Sequence, residues 1–117
     1  MKTRILMLAA SAVMVGASAQ RALGQDSEAK TLYDDNCKKC HGARGTPPKA
    51  MKTKFEKIAT FDAAFVEKHT VDSIAKVLAK GKSEDMKSFK DKLTPAQMMT
   101  VAQYVHEMAA KKETKAP

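Results

Sequence analysis

The sequence lacks tryptophan, has six other aromatic residues and contains two cysteines, Cys37 and Cys40. A single pair of thiols excludes a framework of several disulfides and a zinc site built from two cysteine pairs. The shortage of aromatic side chains also limits the apolar surface that so short a chain can bury. A chain of this size therefore needs a further source of stability, such as a metal ion or a large cofactor.

Long apolar runs are missing except at the amino terminus, which is typical of a secretory signal peptide. Basic residues precede the apolar run 5–15, and small residues occupy positions 17–19. Cleavage after Gly24 or after Ala19 fits the small-residue rule. An uncleaved membrane anchor is the alternative, but the run 5–19 is shorter than the about 20 residues that a spanning helix needs. We therefore expect export to the periplasm without stable membrane insertion.

Cleavage after Gly24 leaves one domain, residues 25–117, with a frayed tail from about residue 112. Three of the 21 basic residues leave with the signal, so 18 basic residues face 13 acidic ones, a formal charge of +5. No arginine-rich run or interleaved aromatic pattern is present, which argues against a nucleic-acid partner.

Apolar periodicity predicts three main helices and no strand. The first is capped by Ser27, the second spans Thr70 to Gly81, and the third opens with the capping box Thr94–Gln97 and runs to about Lys112. The predicted apolar faces comprise Ala29, Leu32, Tyr33, Cys37 and Cys40 in the first helix, Val71, Ile74, Ala75, Val77 and Leu78 in the second, and Met98, Val101, Ala102, Val105 and Ala109 in the third.

The segments between these helices are less regular. Residues 42–57 contain Pro47 and Pro48 and are predicted as a loop, because proline does not fit inside a helix. Residues 55–69 are expected to form short helical pieces, and residues 82–93 a second loop.

The stretch Cys37-Lys38-Lys39-Cys40-His41 carries the chemistry. A disulfide closing so short a loop restricts the unfolded chain little, and a thioredoxin-like pair begins a helix after a strand rather than ending one. A zinc half-site would need a second pair of ligands. The remaining interpretation is covalent haem attachment, in which two thiols about one helical turn apart join the porphyrin and His41 is an axial ligand.

The chain from about residue 26 to 110 resembles a small class I cytochrome c. The similarity lies in the segment Tyr33 to Gly42, in the proline-bearing loop, in the segment Met86 to Phe89 and in Leu-Thr-Pro-Ala-Gln at 93–97. This resemblance implies an all-α cytochrome c fold, with three main helices and short helical pieces wrapped around one haem c bound through the two cysteines.

The resemblance also implies a methionine as the second axial ligand, in the loop before the last helix. Met86 occupies that position, with Met51 as the next candidate, whereas methionines at helical spacing more often fill the core. A bis-histidine site that uses His69 is a minor alternative. We interpret His69 and His106 as surface or boundary residues.

Two residues depart from the family's pattern. Lys87 follows Met86 where proline is common, and Ala29 stands where glycine often lies at the crossing of the terminal helices. The proline carbonyl that accepts a hydrogen bond from the proximal histidine would come from Pro47 or Pro48. Tyr33 and Tyr104 are expected to pack at the crossing.

With His41 and Met86 on iron, the predicted function is one-electron transfer rather than catalysis. The alternatives are a haem enzyme or gas-binding sensor with a dissociable sixth ligand, a subunit of a larger oxidoreductase, and an exported dithiol protein without haem. A monomer that meets acidic surfaces of redox partners is expected. Seven lysines, here called the lysine rim, would border the haem edge: Lys49, Lys52, Lys54, Lys82, Lys87, Lys90 and Lys92.

Overall fold

The protein is described by a computed structural model from residue 17 to residue 113. Its helices are α1 (Ala17–Asn36), α2 (Lys38–His41), α3 (Lys49–Lys54), α4 (Ala63–Lys68), α5 (Val71–Lys80) and α6 (Pro95–Glu113). No strand occurs between residues 17 and 113, so the prediction of an all-α fold is confirmed. None of the helices in this range is long and apolar enough to cross a membrane.

The charged and apolar parts of the predicted signal peptide, residues 1–16, lie outside the described residues. The two candidate cleavage positions, after Ala19 and after Gly24, fall within α1, and cleavage stays a prediction. At the other end α6 continues to Glu113, while residues 114–117 of the predicted frayed tail are also outside the described part.

The predicted start of the first helix at Ser27 is wrong. The helix already begins at Ala17, and the Ser27 carbonyl lies inside it, where it accepts a hydrogen bond from the Thr31 hydroxyl at 3.0 Å. The residues before Ser27 are mostly good helix formers and include no proline, so a capping side chain does not end the helical run.

The core forms where α6 packs against α1, α4 and α5. Tyr33 from α1 is fully buried there, and its ring lies 5.4 Å from that of Tyr104, which confirms that the two tyrosines pack between the terminal helices. The predicted apolar face of α6 is buried along its whole length. Its members are Met98, Val101, Ala102, Val105 and Ala109.

The start and stop signals of α5 and α6 act as predicted. The Thr70 side chain accepts a hydrogen bond from the Ser73 N–H, and Gly81 ends α5 with φ +76°. At α6 the capping box is reciprocal: the Gln97 N–H donates to the Thr94 hydroxyl at 3.1 Å, and the Thr94 N–H donates to the Gln97 side chain at 3.0 Å.

The prediction that residues 42–57 form a loop throughout is wrong, because Lys49–Lys54 form the short helix α3. Pro48 is the N-cap of α3, and its carbonyl accepts bonds from the N–H groups of Met51 and Lys52 at 2.9 and 3.0 Å. Proline fits this position because the first N–H groups of a helix have no partner within it. Of the pieces expected between 55 and 69, α4 is present, capped by the Asp62 carboxylate.

Candidate functional site

The two cysteines lie where α1 gives way to α2. Cys37 separates the two helices, yet its N–H donates to the Tyr33 carbonyl at 2.8 Å and its own carbonyl accepts from the His41 N–H at 2.9 Å. The helical path therefore continues almost without interruption through the motif. It places Cys37 and Cys40 close to one turn apart, both half-buried and both free thiols.

The Cys37 thiol lies against the core, and its burial, with the neighbouring Cys40, raises its pKa to about 12. A dithiol exchange protein needs the opposite, because the attacking sulfur must be a thiolate near neutral pH. The environment of Cys37 therefore disfavours this residue as the attacking thiol of a redox pair. Within residues 17–113 no group of three or more histidine, cysteine or acidic side chains is placed to bind a metal ion, so the zinc interpretation gains no support.

His41 is held by a backbone carbonyl that the sequence did not indicate. Its Nδ1 lies 3.2 Å from the Ala59 oxygen, so the expectation that Pro47 or Pro48 would supply this carbonyl is wrong. A carbonyl can only accept, so the proton belongs on Nδ1 and Nε2 keeps its lone pair. The Pro48 carbonyl is already used by α3.

Burial lowers the pKa of His41, and the hydrogen bond to Ala59 opposes this effect in part. The positive charge of Lys82 lowers the pKa further. The ring is therefore neutral at physiological pH, which is the form that binds metal ions.

One face of the His41 ring is covered by Phe61. The two rings are stacked, with centroids 4.6 Å apart. Phe61 itself is fixed by its N–H bond to the Gly45 carbonyl at 2.8 Å, and a side chain at Gly45 would collide with the Phe61 ring. The imidazole is thus held in its plane by Ala59 and at its face by Phe61.

The chain leaves the motif through a turn that requires glycine. Gly42 has φ +82°, and a Cβ there would collide with the Thr46 carbonyl oxygen. The buried Tyr33 hydroxyl donates to the Gly42 carbonyl at 2.6 Å. Tyr33 therefore ties the residue after His41 back to α1.

Met86 lies in the 81–93 loop, half-buried against the core. The other methionines within the described residues have different surroundings. Met98 is buried in the core, Met99 is 42% exposed, Met108 lies beneath Gly45, and Met51 is half-buried on α3. Met86 is thus the candidate ligand that combines an irregular loop with partial burial.

The predicted site residues fit a covalently attached haem. The two cysteine side chains stand one turn apart, and the neutral imidazole of His41 keeps its Nε2 available. Sequence reasoning missed Ala59 and Phe61 as supports of the imidazole. The apolar residues between 55 and 66 indicated short helical pieces, but not the contact of this segment with His41.

Comparisons with known proteins agree with this geometry. A family model described as cytochrome c oxidase, cbb3-type, subunit III, matches residues 24–105. A similar solved structure is the KustC0563 c-type cytochrome, with 30% identity, a TM-score of 0.61, and coverage of 68% of this chain and 95% of that one. A tyrosine-to-phenylalanine mutant of Kustc0563 is 28% identical, with a TM-score of 0.61 and coverage of 69% and 98%. Comparison with curated proteins gave no match.

These findings confirm the predicted resemblance and the cytochrome c fold. Domains of this family bind haem c and serve mainly in electron transfer, and they are typically found outside the cytoplasm. Since the family match spans well over half of the chain, the protein belongs to the family of small c-type cytochrome domains.

Proposed function

We propose that the protein is a periplasmic one-electron carrier with one haem c, joined by thioether bonds to Cys37 and Cys40. His41 and Met86 are its axial ligands. The family supports the electron-carrier role, and the residues around the motif support the finer assignment.

The observation that carries the proposal is the support of His41. The Nδ1–H of His41 donates to the Ala59 carbonyl, and the ring is stacked on Phe61. These two contacts fix the orientation of the ring and therefore the direction of Nε2. A ligand held in this way changes position little between oxidation states, which favours rapid electron transfer. The hydrogen bond to Nδ1 also makes the imidazole a better electron donor.

The second ligand decides between a carrier and an enzyme. The bound haem supplies one-electron chemistry through its iron, and imidazole with thioether ligation raises the reduction potential. Met86 stands in the loop before α6, and it packs on the core. With His41 and Met86 both bound to the iron, no coordination position would remain for a substrate or a gas.

The first experiment is the visible spectrum of the dithionite-reduced protein before and after carbon monoxide, with intact mass to establish covalent haem. The protein is matured in a host that attaches haem. A low-spin c-type spectrum that carbon monoxide leaves unchanged supports the carrier. A prompt shift supports the gas-binding or enzymatic alternative, and a mass without haem supports the dithiol protein.

Export and partners complete the proposal. A signal peptide places the mature chain in the periplasm, and the lysine rim favours encounters with acidic surfaces of redox partners. Amino-terminal sequencing of the protein from a periplasmic fraction tests export directly. A mature terminus at Gln20 or Gln25 is expected, and a chain that keeps its first residues and sediments with membranes contradicts the proposal.

A second candidate function is a fixed subunit of a larger oxidoreductase. It is favoured by the family's description, which names an oxidase subunit. Size-exclusion chromatography of extract from the native host, followed by the haem absorbance, separates the two. A carrier elutes at the mass of a monomer, whereas a subunit elutes with its complex.

A further inference from the structure

The loop that carries Met86 has lysine rather than proline at position 87. Proline restricts the backbone because its ring fixes φ and limits the residue before it. Without that restriction, another feature of the chain must hold Met86 if its side chain is to keep one position. Residues 82–86 are here called the Met86 turn. The hydrogen bonds within this turn restrain the backbone at Met86.

Both backbone polar groups of Met86 are used within the Met86 turn. The Met86 N–H donates to the Ser83 Oγ at 3.2 Å. The Met86 carbonyl accepts from the N–H groups of Lys82 and Ser83, at 2.8 and 3.3 Å. The serine hydroxyl thus acts as a helix cap does, accepting from the N–H three residues later, and it closes the turn from inside.

The Met86 turn is also fixed at both of its ends. At its start Gly81 has φ +76°, and a Cβ there would lie 2.6 Å from the Ser88 nitrogen, so the chain after Met86 returns directly over Gly81. At its end the Ser88 hydroxyl donates to the Ala79 carbonyl at 2.7 Å, and the Phe89 N–H donates to the Leu78 carbonyl at 2.9 Å. The turn is therefore anchored on the last residues of α5.

Ser83 differs from these anchors because it contacts Met86 itself. Its side chain is exposed and bonds the Met86 N–H, whereas Ser88 and Phe89 hold the loop to α5 further along the chain. Loss of the Ser83 oxygen would remove the bond at the Met86 N–H but leave the two bonds at the Met86 carbonyl, the core and the loop ends in place. This separation makes the role of Ser83 measurable.

We propose that Ser83 is a positioning residue for Met86, replacing through its hydroxyl the restraint that a following proline would give. The inference rests on the proposed function, because it concerns Met86 as the axial ligand. Ser83 lowers the fraction of time in which the Met86 sulfur leaves the iron.

The experiment measures the rate at which carbon monoxide binds the ferrous holoprotein, which reports how often the sixth position opens. We expect Ser83→Ala to raise this rate about fivefold, which corresponds to about 1 kcal/mol at 25 °C. Ser83→Thr keeps the acceptor oxygen and is expected to stay within about twofold of the unchanged protein. The matched control is Thr53→Ala, which removes an exposed hydroxyl that bonds the Lys49 carbonyl on α3.

Two further measurements separate the possible failures. Ser83→Ala is expected to lower the midpoint of global urea unfolding slightly, because the unfolded chain lacks this hydrogen bond. Thr94→Ala, which removes the N-cap bond of α6, is expected to lower the midpoint by a similar amount and to leave the carbon monoxide rate unchanged. If both variants raise the rate equally, the increase follows global stability and the positioning role is overturned.

The variant Met86→Ala is expected to bind the gas far faster than any of the others. If it does so while Ser83→Ala matches the unchanged protein, the inference fails and Met86 ligation stands. If Met86→Ala is no faster, the ligand assignment fails and the inference fails with it.

Discussion

The imidazole of His41 lies nearly parallel to the ring of Phe61, with 17° between the two planes. The other contacts of Phe61 are structural. Its ring is T-shaped to that of Tyr33, with centroids 6.5 Å apart, and its centroid lies 4.9 Å from that of Phe65. Its backbone N–H donates to the Gly45 carbonyl. A single buried aromatic side chain therefore connects the candidate iron ligand to the packing of α1 and α4.

We expect Phe61→Leu to lower the free energy of unfolding of the holoprotein by about 1–2 kcal/mol, because leucine fills much of the space but loses the ring contacts. Urea unfolding followed by circular dichroism measures the change. The control is Phe55→Leu at a half-buried ring that packs against the Lys54 side chain, where a loss below about 0.5 kcal/mol is expected. Equal losses at the two positions would mean that the stack on His41 contributes nothing beyond ordinary burial.

The features that the sequence predicts well in this protein depend on residues that are close together in the chain. The cap at Thr70, the stop at Gly81 and the box Thr94–Gln97 each depend on residues within one turn of one another, so their chemistry can be read directly from the chain. The attachment motif is equally local. The start of α1 was missed because a capping side chain such as Ser27 favours a helix start only where the preceding residues resist helix formation.

The support of His41 could not be predicted in the same way. The Ala59 carbonyl is 18 residues from His41 in sequence, and any residue could provide a carbonyl there. Which one reaches the imidazole depends on the path of the chain through the turn at Gly42 and the bond between Phe61 and Gly45. Backbone acceptors leave no signature in the side-chain pattern. The prediction therefore follows the family's pattern, in which a proline carbonyl accepts this hydrogen bond, and it is wrong.

The buried Tyr33 hydroxyl gives a prediction that depends on pH. Tyr33→Phe removes the bond to the Gly42 carbonyl, so we expect the free energy of unfolding to fall by about 1 kcal/mol at pH 7. Burial raises the pKa of Tyr33 above its ordinary 10.0. The stabilisation is therefore complete below pH 10 and declines as the pH rises above 10, because the unfolded chain then loses the proton first.

Urea unfolding between pH 8 and pH 11 tests this prediction. The difference between the unchanged protein and Tyr33→Phe is expected to shrink above pH 10. Tyr104→Phe is the control on the neighbouring half-buried ring, and it should keep the alkaline decline of the unchanged protein. A difference for Tyr33→Phe that stays constant across the whole range would contradict a raised pKa at this residue.

The capping box of α6 gives a prediction of stability alone. Thr94→Ala leaves the Gln97 N–H without its partner, and we expect a loss of about 1 kcal/mol in the free energy of unfolding. Thr100→Ala lies in the same helix, where the hydroxyl bonds the carbonyl of Ala96 four residues earlier, and alanine favours a helix interior. It is expected to change stability by less than about 0.5 kcal/mol. Similar losses for both variants would show that the box adds nothing to α6.

All seven members of the lysine rim are exposed, and the positive charge of Lys82 lowers the pKa of His41. We expect the double variant Lys82→Gln with Lys87→Gln to slow oxidation of the ferrous protein by ferricyanide about threefold at low ionic strength, because less positive charge attracts the anion. The two proteins should converge at about 1 M salt, where the screening length is about 3 Å.

The control for the lysine rim is the double variant Lys30→Gln with Lys76→Gln, which has the same total charge. Lys30 pairs with Asp34 on α1, and Lys76 lines a groove between α5 and α6. If attraction depends on charge near the haem edge, this variant reacts at nearly the rate of the unchanged protein. If both double variants are slowed equally, the anion responds to net charge, and the rim has no directing role. A cationic oxidant provides the reverse test, since local charge near Lys82 then repels the reagent and its removal must accelerate the reaction.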